Sequence, residues 1–363
     1  MGNRMRIAIN TGGGDAPGLN AVIYAVTMAA HQRGWEVHGI REGYAGLFDT
    51  SKIIPLTPER VDGIMDRGGT ILGTTNRGNP LRFPVKGKDG KVEERDRSDE
   101  LVALFRSQGL DALIAIGGDG SLEIADALNR KGLPVVGVPK TIDNDLDRTV
   151  VTFGFDTAVD FATECIDRLH STAESHQRIL VIEVMGRYAG WIALHSGVAA
   201  SADVILIPEI PYDIRKVAEK VAERERNRRY FSIVVVAEGA LPAGGGRTVA
   251  EEKTAGKAER LGGVGQKVSA ELEKLTGKES RVVVLGHLLR GGRPTSQDRL
   301  ISLRFGAAAV RALGEGRSGI MVALDPPTVK YVPLGACIRR MKTVPVDCDT
   351  VLTARDLGIS FGD

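Results

Sequence analysis

The sequence predicts an α/β protein with mainly parallel sheets, and three observations carry the prediction. Short β-branched runs alternate with longer stretches of helical period, glycine clusters follow several of those runs, and no apolar run approaches the length of a membrane span. The first strand is read at residues 5–9. The helix after it is the clearest in the chain, because Leu19, Val22, Ile23, Val26 and Ala30 share one face and Gly34 supplies a stop. Further strands are read at 36–40, 112–116, 134–138 and 178–184. A helix at 157–169, strands at 203–207, 231–237 and 281–285, and helices at 213–227 and 265–275 imply a second αβ layer. Residues 86–100, dense in charge with Gly87 and Gly90, and 242–259, with Gly244, Gly245 and Gly246, read as solvated loops.

With 363 residues the chain has room for about two domains. Hydrophobic residues at 42% and charged residues at 26% exclude the disordered class, and the 45 glycines point to tight turns or close backbone approaches. Lys plus Arg at 48 against Asp plus Glu at 46 leaves +2, so no global field argues for nucleic acid or an anionic membrane as partner. An anion has to be caught locally. The start, Met1 to Arg6, enters a strand without a signal-peptide core, and Cys165, Cys337 and Cys348 have no metal-ligand spacing. Both features suggest a cytoplasmic location with inert thiols. His31, His38 and His195 read as structural, Trp35 and Trp191 as core or interface, and the charged helix around 219–229 as a solvated face.

Ligands of open α/β sheets bind at the carboxyl ends of strands, so strand-to-loop junctions are where chemistry is sought. Four are unusual here. Thr11 to Gly18, with Gly12, Gly13 and Gly14, lies between the first strand and the first helix, where bare backbone N–H groups and the helix dipole suit a phosphate. Gly117, Gly118, Asp119, Gly120 and Ser121 follow a strand, and an Asp flanked by glycines can hold Mg²⁺ while phosphates approach the main chain. Residues 139–145 carry Asp143 and Asp145, two carboxylates able to divide proton acceptance and its support. Arg187, in Met185 to Gly190, lies near a helix start and suits a phosphate. Neither glycine loop fits the Walker or the dinucleotide pattern.

Seven strings together resemble the phosphofructokinase family: the triple-glycine loop ending Asp-Ala-Pro-Gly-Leu-Asn, Gly68 to Gly73, Gly-Gly-Asp-Gly-Ser, Thr-Ile-Asp-Asn-Asp, Ser175 to Arg178, Met-Gly-Arg, and Leu285 to Gly292. Gly-Gly-Asp-Gly alone is shared with NAD kinases and lipid kinases, whereas the seven in this order, from residue 5 to about 310, are specific. The resemblance implies two Rossmann-like αβα domains with the active site in the inter-domain cleft. Residues 1–154 plus about 289–340 would form the ATP domain, and 155–288 plus about 341–363 the fructose 6-phosphate domain. It also implies phosphoryl transfer to the 1-hydroxyl of fructose 6-phosphate, the committing step of glycolysis.

Carried over by motif, Asp143 is the general base, flanked by Thr141 and Asp145, and Asp119 is the Mg²⁺ ligand. Gly13, Gly14, Arg77, Gly118, Gly120, Ser121 and Lys140 face the donor, with Arg77 one place displaced from the arginine of the bacterial ATP enzymes. Met185, Gly186, Arg187 and Glu238 recognise the sugar, and His287 and Arg290 close on its 6-phosphate. In the family the residues matching Arg178 and Arg281 reach in from a neighbouring subunit, so the resemblance implies a homodimer or homotetramer with shared active sites.

On the donor, two positions disagree. Gly120 leaves space for the α-phosphate of ATP where pyrophosphate-using relatives commonly carry Asp, whereas Lys140 stands where they carry lysine and the well-known bacterial ATP enzymes glycine. The steric argument at Gly120 outweighs a mobile lysine, so ATP is the expected donor and pyrophosphate the alternative. An NAD kinase-like enzyme and a catalytically inert regulatory subunit are the remaining readings; the first lacks the Thr-Ile-Asp-Asn-Asp and Met-Gly-Arg strings, and the second would be expected to have lost Asp119 or Asp143. Tyr24, Met28 and His170 stand where the bacterial ATP enzymes have effector-binding arginines, so weak or absent control by nucleotide effectors or phosphoenolpyruvate is expected.

Overall fold

Backbone N–H and C=O groups of buried apolar strands need partners, and parallel pairing under a cover of helices supplies them. The computed structural model describes residues 4–75, 77–86, 92–247, 249–251 and 260–363. The chain divides into two units, the first drawn from residues 1–141, 146–154 and 290–341 and the second from 142–145, 155–289 and 342–363. The short segment 142–145 thus belongs with the second unit, not with the strand that leads into it.

In chain order the elements are β1 (Arg6–Thr11), α1 (Leu19–His31), β2 (Glu36–Ile40), β3 (Ile53–Leu56), β4 (Phe83–Lys86), β5 (Val92–Arg95), α2 (Ser98–Ser107), β6 (Ala112–Gly117), α3 (Asp119–Arg130) and β7 (Val135–Pro139). There follow α4 (Phe155–His176), β8 (Ile179–Val184), α5 (Trp191–Ala199), β9 (Val204–Leu206), α6 (Ile214–Arg226), β10 (Ser232–Ala237), β11 (Val249–Glu251), β12 (Arg260–Leu261), α7 (Val264–Thr276) and β13 (Ser280–Val284). The chain closes with α8 (Ser296–Gly314), β14 (Ile320–Asp325), β15 (Thr328–Pro333), α9 (Leu334–Cys337) and α10 (Asp349–Asp356). Among the described residues no helix is long and apolar enough to cross a membrane.

The first unit is built on a seven-stranded sheet in the order β15-β14-β7-β6-β1-β2-β3, parallel through its middle with antiparallel edges at β15 and β3. The side-chain period of two decides which core each residue joins. Ile7, Ile9, Ile114 and Ile116 face Leu19, Val22 and Val26 of α1 and Phe305 and Ala309 of α8, while Ala8, Leu113 and Ala115 face Leu101 and Phe105 of α2 and Leu122 and Leu128 of α3. Both faces are covered, which is why β6 reads as an unbroken apolar run. Trp35 is half-buried against the first of these cores. α1 and α8 approach closely at Gly306, where a Cβ would lie 2.8 Å from the Val22 carbonyl oxygen and 2.7 Å from the Ala25 Cβ.

The second unit holds a four-stranded parallel sheet, β13-β8-β10-β9. Ile179, Val181, Val234 and Val236 pack with Val217 and Val221 of α6 and Val268 and Leu272 of α7, and α4 and α5 also pack on the sheet. The polar member of β8, Glu183, is buried with its carboxylate accepting from Gly265 N–H at 2.8 Å, at the α7 N-terminus. The segment before α10 and the chain end run along this unit, with Ile205 N–H donating to the Ser360 carbonyl at 2.9 Å.

Two stretches read as loops are corrected. Residues 83–86 and 92–95 form an antiparallel hairpin, and α2 begins at Ser98, where the Asp96 carboxylate accepts from Ser98 N–H at 2.8 Å. The hairpin escaped a periodicity reading because β5, Val-Glu-Glu-Arg, is exposed throughout and carries no apolar alternation. In the other stretch residues 249–251 pair with 260–261. Residues 87–91, 248 and 252–259 of these segments lie outside the described residues.

Candidate active site

The first unit gathers ten of the predicted site residues: Gly13, Gly14, Arg77, Gly118, Asp119, Gly120, Ser121, Lys140, Thr141 and Arg290. β1 and β6 are neighbours, so the two glycine-bearing junctions leave the sheet side by side. Gly12 N–H donates to the Ile116 carbonyl at 2.9 Å, and a Cβ on Gly12 would lie 2.5 Å from the Ser121 hydroxyl oxygen. A side chain here would have to displace the Ser121 hydroxyl, so glycine lets the loop lie this close to the first turn of α3. Gly13 takes φ +78°, and its carbonyl accepts from the Thr74 hydroxyl at 2.5 Å.

Lys140, at the end of β7, is 4% exposed, and its Nζ donates to the Gly14 carbonyl at 2.5 Å. Its stem is therefore buried and its ammonium sits on the glycine loop. Arg290 donates from Nη1 to the Asp15 carbonyl at 3.1 Å and stands against Gly14. Two cations thus flank one glycine loop. Arg77 is exposed, in the loop whose Thr75 hydroxyl accepts from its N–H at 2.9 Å.

Asp119 opens α3 with its side chain exposed, rather than ending a turn. The first-turn N–H groups of a helix have no intrahelical acceptor, so anions are favoured there. A Cβ on Gly120 would meet nothing within 4 Å. The turn is anchored from below by Tyr44, a buried residue whose hydroxyl donates to the Ser121 carbonyl at 2.8 Å; burial pushes its pKa up. Asn20 is a second anchor that sequence reasoning left unassigned. Its Oδ1 accepts from Ile71 N–H at 2.8 Å and its Nδ2 donates to the Arg67 carbonyl at 3.1 Å, tying the Gly68 to Gly73 loop to α1. The clue lay in its place inside the first family string.

The second unit holds Asp143, Asp145, Arg178, Met185, Gly186, Arg187, Glu238, Arg281 and His287. β8 and β10 are in register through Val184 and Ala237, so Met185 to Arg187 and Glu238 emerge together at the carboxyl end of the sheet. Glu238 N–H donates to the Val184 carbonyl at 2.9 Å and Gly239 N–H to the Gly186 carbonyl at 3.1 Å. The Arg187 guanidinium lies 5.1 Å from the centre of the Tyr188 ring. His287 sits in the 3-10 turn Gly286–Arg290 that follows β13.

Arg178 and Arg281 do not join that group. Arg178 precedes β8 and Arg281 lies near the start of β13, at the amino end of the sheet. The seven steps from Arg178 to Met185, at about 3.3 Å each, separate the two ends by roughly 23 Å. Both arginines are held by Glu279, which accepts from Arg178 Nε at 2.6 Å and pairs with Arg281. Arg178, and then the charge of Arg281, hold the Glu279 carboxyl below its usual range.

Asn144, between Asp143 and Asp145, is buried and left-handed at φ +52°. His195 of α5 packs edge-on to Phe155 at 5.3 Å and Trp191 at 5.8 Å, and burial, with Lys342 adding to it, lowers its pKa. His31 and His38 lie in α1 and β2, and burial lowers the pKa of His38. Cys337 is buried and its thiol pushed up to about 12.

Among the described residues no group of three or more His, Cys, Asp or Glu side chains could hold a metal by itself. Asp119 alone suits Mg²⁺ nonetheless, since that ion keeps several waters and binds through one or two carboxylates plus substrate phosphates.

A family model described as Phosphofructokinase matches residues 6–313. The chain is 53% identical over 360 residues to an ATP-dependent 6-phosphofructokinase of Chloroflexus aurantiacus, a match covering 99% of this chain and 98% of the relative. It is 51% identical over 345 residues to a pyrophosphate–fructose 6-phosphate 1-phosphotransferase of Amycolatopsis methanolica, covering 94% of this chain and 96% of that one. Among solved structures, phosphofructokinase from Saccharomyces cerevisiae superposes with a TM-score of 0.80 at 28% identity over 99% of this chain, which spans 48% of the yeast chain. The glycine loops, the acidic segment and the Met-Gly-Arg turn lie on a fold of the same kind, over nearly the whole length of the bacterial relatives: the chain belongs to the phosphofructokinase family.

Proposed function

We propose that the protein transfers the terminal phosphoryl group of ATP to the 1-hydroxyl of fructose 6-phosphate, giving fructose 1,6-bisphosphate and ADP. The observation that carries the reading is the first turn of α3: Asp119 stands exposed and the Cβ position of Gly120 is open, beside a glycine loop that bears the Lys140 ammonium. The name of the Chloroflexus relative supports it.

In this reading Asp143 accepts the proton of the 1-hydroxyl as that oxygen attacks the γ-phosphorus. The bond from phosphorus to the β,γ-bridging oxygen breaks, and ADP leaves with the electron pair. Thr141 and Asp145 flank the base. Backbone N–H groups of Gly13, Gly14, Gly118 and Gly120, with Ser121, Arg77 and Lys140, carry the phosphate charge. Asp119 would hold Mg²⁺, which when bound neutralises charge on the phosphates. Met185, Gly186, Arg187 and Glu238 hold the sugar, and His287 and Arg290 its 6-phosphate. In this reading the first unit is the donor domain, which also lends Arg290 to the sugar's 6-phosphate, and the second is the sugar domain.

The roughly 23 Å between Arg178 and Met185 supports the view that Arg178 and Arg281 serve the site of another subunit, in a homodimer or homotetramer. A cytoplasmic location goes with this role. Pyrophosphate as donor is the second reading, favoured by Lys140 on the Gly14 carbonyl and by the name of the Amycolatopsis relative.

Incubation of the protein with Mg-ATP and fructose 6-phosphate tests the reading. Equimolar ADP and fructose 1,6-bisphosphate are expected. Formation of NADP from NAD would favour a different kinase, and sugar phosphate binding without turnover with either donor would favour an inert subunit.

A further inference from the structure

We propose that Lys342 is a positioning residue for the acidic segment Ile142–Asp145, and that residues 342–344 strap this segment to the Met185 to Gly190 loop. The inference rests on the reading of Asp143 as proton acceptor. Asn144 takes φ +52° between the two carboxylates, a backbone region that L-residues adopt at a cost and keep only where their surroundings hold them. Whatever fixes Asn144 therefore fixes the directions of Asp143 and Asp145.

Lys342 does so from two atoms: its Nζ donates to Asn144 Oδ1 at 2.7 Å and its backbone N–H donates to the Asp145 carbonyl at 2.8 Å. Lys342 is itself held. Its carbonyl accepts from Trp191 Nε1 at 3.0 Å, and its ammonium lies 5.9 Å from the centre of that indole. Two residues on, Val344 N–H donates to Glu209 Oε1 at 2.8 Å, and the same carboxylate accepts from Gly190 N–H at 3.1 Å. One strap of three residues thus joins the segment that carries the base to the end of the loop that carries Arg187. Burial raises the pKa of Glu209, as expected for a carboxylate whose partners here are neutral N–H groups.

Lys342→Met in the full chain removes the donor and the charge while keeping an unbranched stem. With fructose 6-phosphate, kcat is expected to fall at least tenfold, KM for ATP to stay within twofold, and the melting temperature to stay within a few degrees. Lys342→Arg recovers most of kcat. Asn144→Ala, which removes the acceptor, gives the same loss, and the double variant loses no more than the worse single one. Wild-type kcat in Lys342→Met, a loss confined to KM for ATP, or additive losses in the double variant would overturn the proposal. Should Lys342→Met not fold, Asn144→Ala decides alone: a tenfold fall in kcat at constant KM for ATP supports the strap, and an unchanged kcat overturns it. Trp191 emission, read in a Trp35→Phe background, is expected to shift on Lys342→Met whether or not the protein turns over, and an unshifted spectrum counts against the strap. Absence of turnover by the unaltered protein would instead refute the reading of the site.

Discussion

Replacing Gly120 by Asp separates the two donors on a position that the fold leaves open. The new Cβ meets nothing within 4 Å, and the residue lies in the first turn of α3, where a carboxylate is favoured by about 0.3–1 kcal/mol through the helix dipole. Stability should therefore hold or rise slightly. The cost falls on the ligand. A carboxylate held about 5 Å from one phosphate charge, at an effective dielectric constant of about 20, is repelled by about 3 kcal/mol. At about 1.4 kcal/mol per decade this predicts a fall in kcat/KM for ATP on the order of 100-fold. Pyrophosphate has no α-phosphate bearing a nucleoside, so its kcat/KM should change far less. The assay is kcat/KM for each donor at saturating fructose 6-phosphate, with melting temperature as control. A folded Gly120→Asp variant that keeps ATP kcat/KM within about threefold would refute the steric and electrostatic reasoning.

Three further outcomes are expected. Glu279→Ala frees Arg178 and Arg281 from the carboxylate that holds them side by side, and should raise KM for fructose 6-phosphate severalfold in steady-state kinetics while leaving KM for ATP unchanged. Gly306→Ala forces a methyl against the Val22 carbonyl and Ala25, and should destabilise the first unit by about 1–3 kcal/mol, measured as a lowered denaturation midpoint. Phosphoenolpyruvate should leave the fructose 6-phosphate saturation curve in place, because Tyr24 and Met28 pack on the core and His170 is bonded to the Ala200 carbonyl at 2.7 Å; a clear shift of that curve would contradict it.

What could be read from the sequence was what local pattern encodes. Glu36–Ile40 was delimited to the residue, and the neighbouring β1 and β6 junctions stood out because a glycine cluster after a β-branched run has few causes. α3 was passed over: Asp119 and Gly120 look like turn residues, and its apolar stripe, Leu122, Ala125 and Leu128, begins only a turn later. The edge pair β14 and β15 is not legible either, its sequence giving too few residues of period, whereas the helix start expected near Arg187 is met by α5. The positioning contacts lay further out of reach. Asn20 to Ile71, Tyr44 to Ser121 and Lys342 to Asn144 join residues 51, 77 and 198 apart, and no spacing along the chain announces such pairs. No motif marks residues 342–344, whose partners Trp191 and Glu209 lie far away in the chain.

Initial rates with Mg-ATP and with pyrophosphate, measured on one preparation at saturating fructose 6-phosphate, test the central claim most directly. The open Cβ position at Gly120 predicts that ATP supports turnover well above pyrophosphate. The reverse ranking would contradict it and assign the buried Lys140 ammonium to pyrophosphate instead.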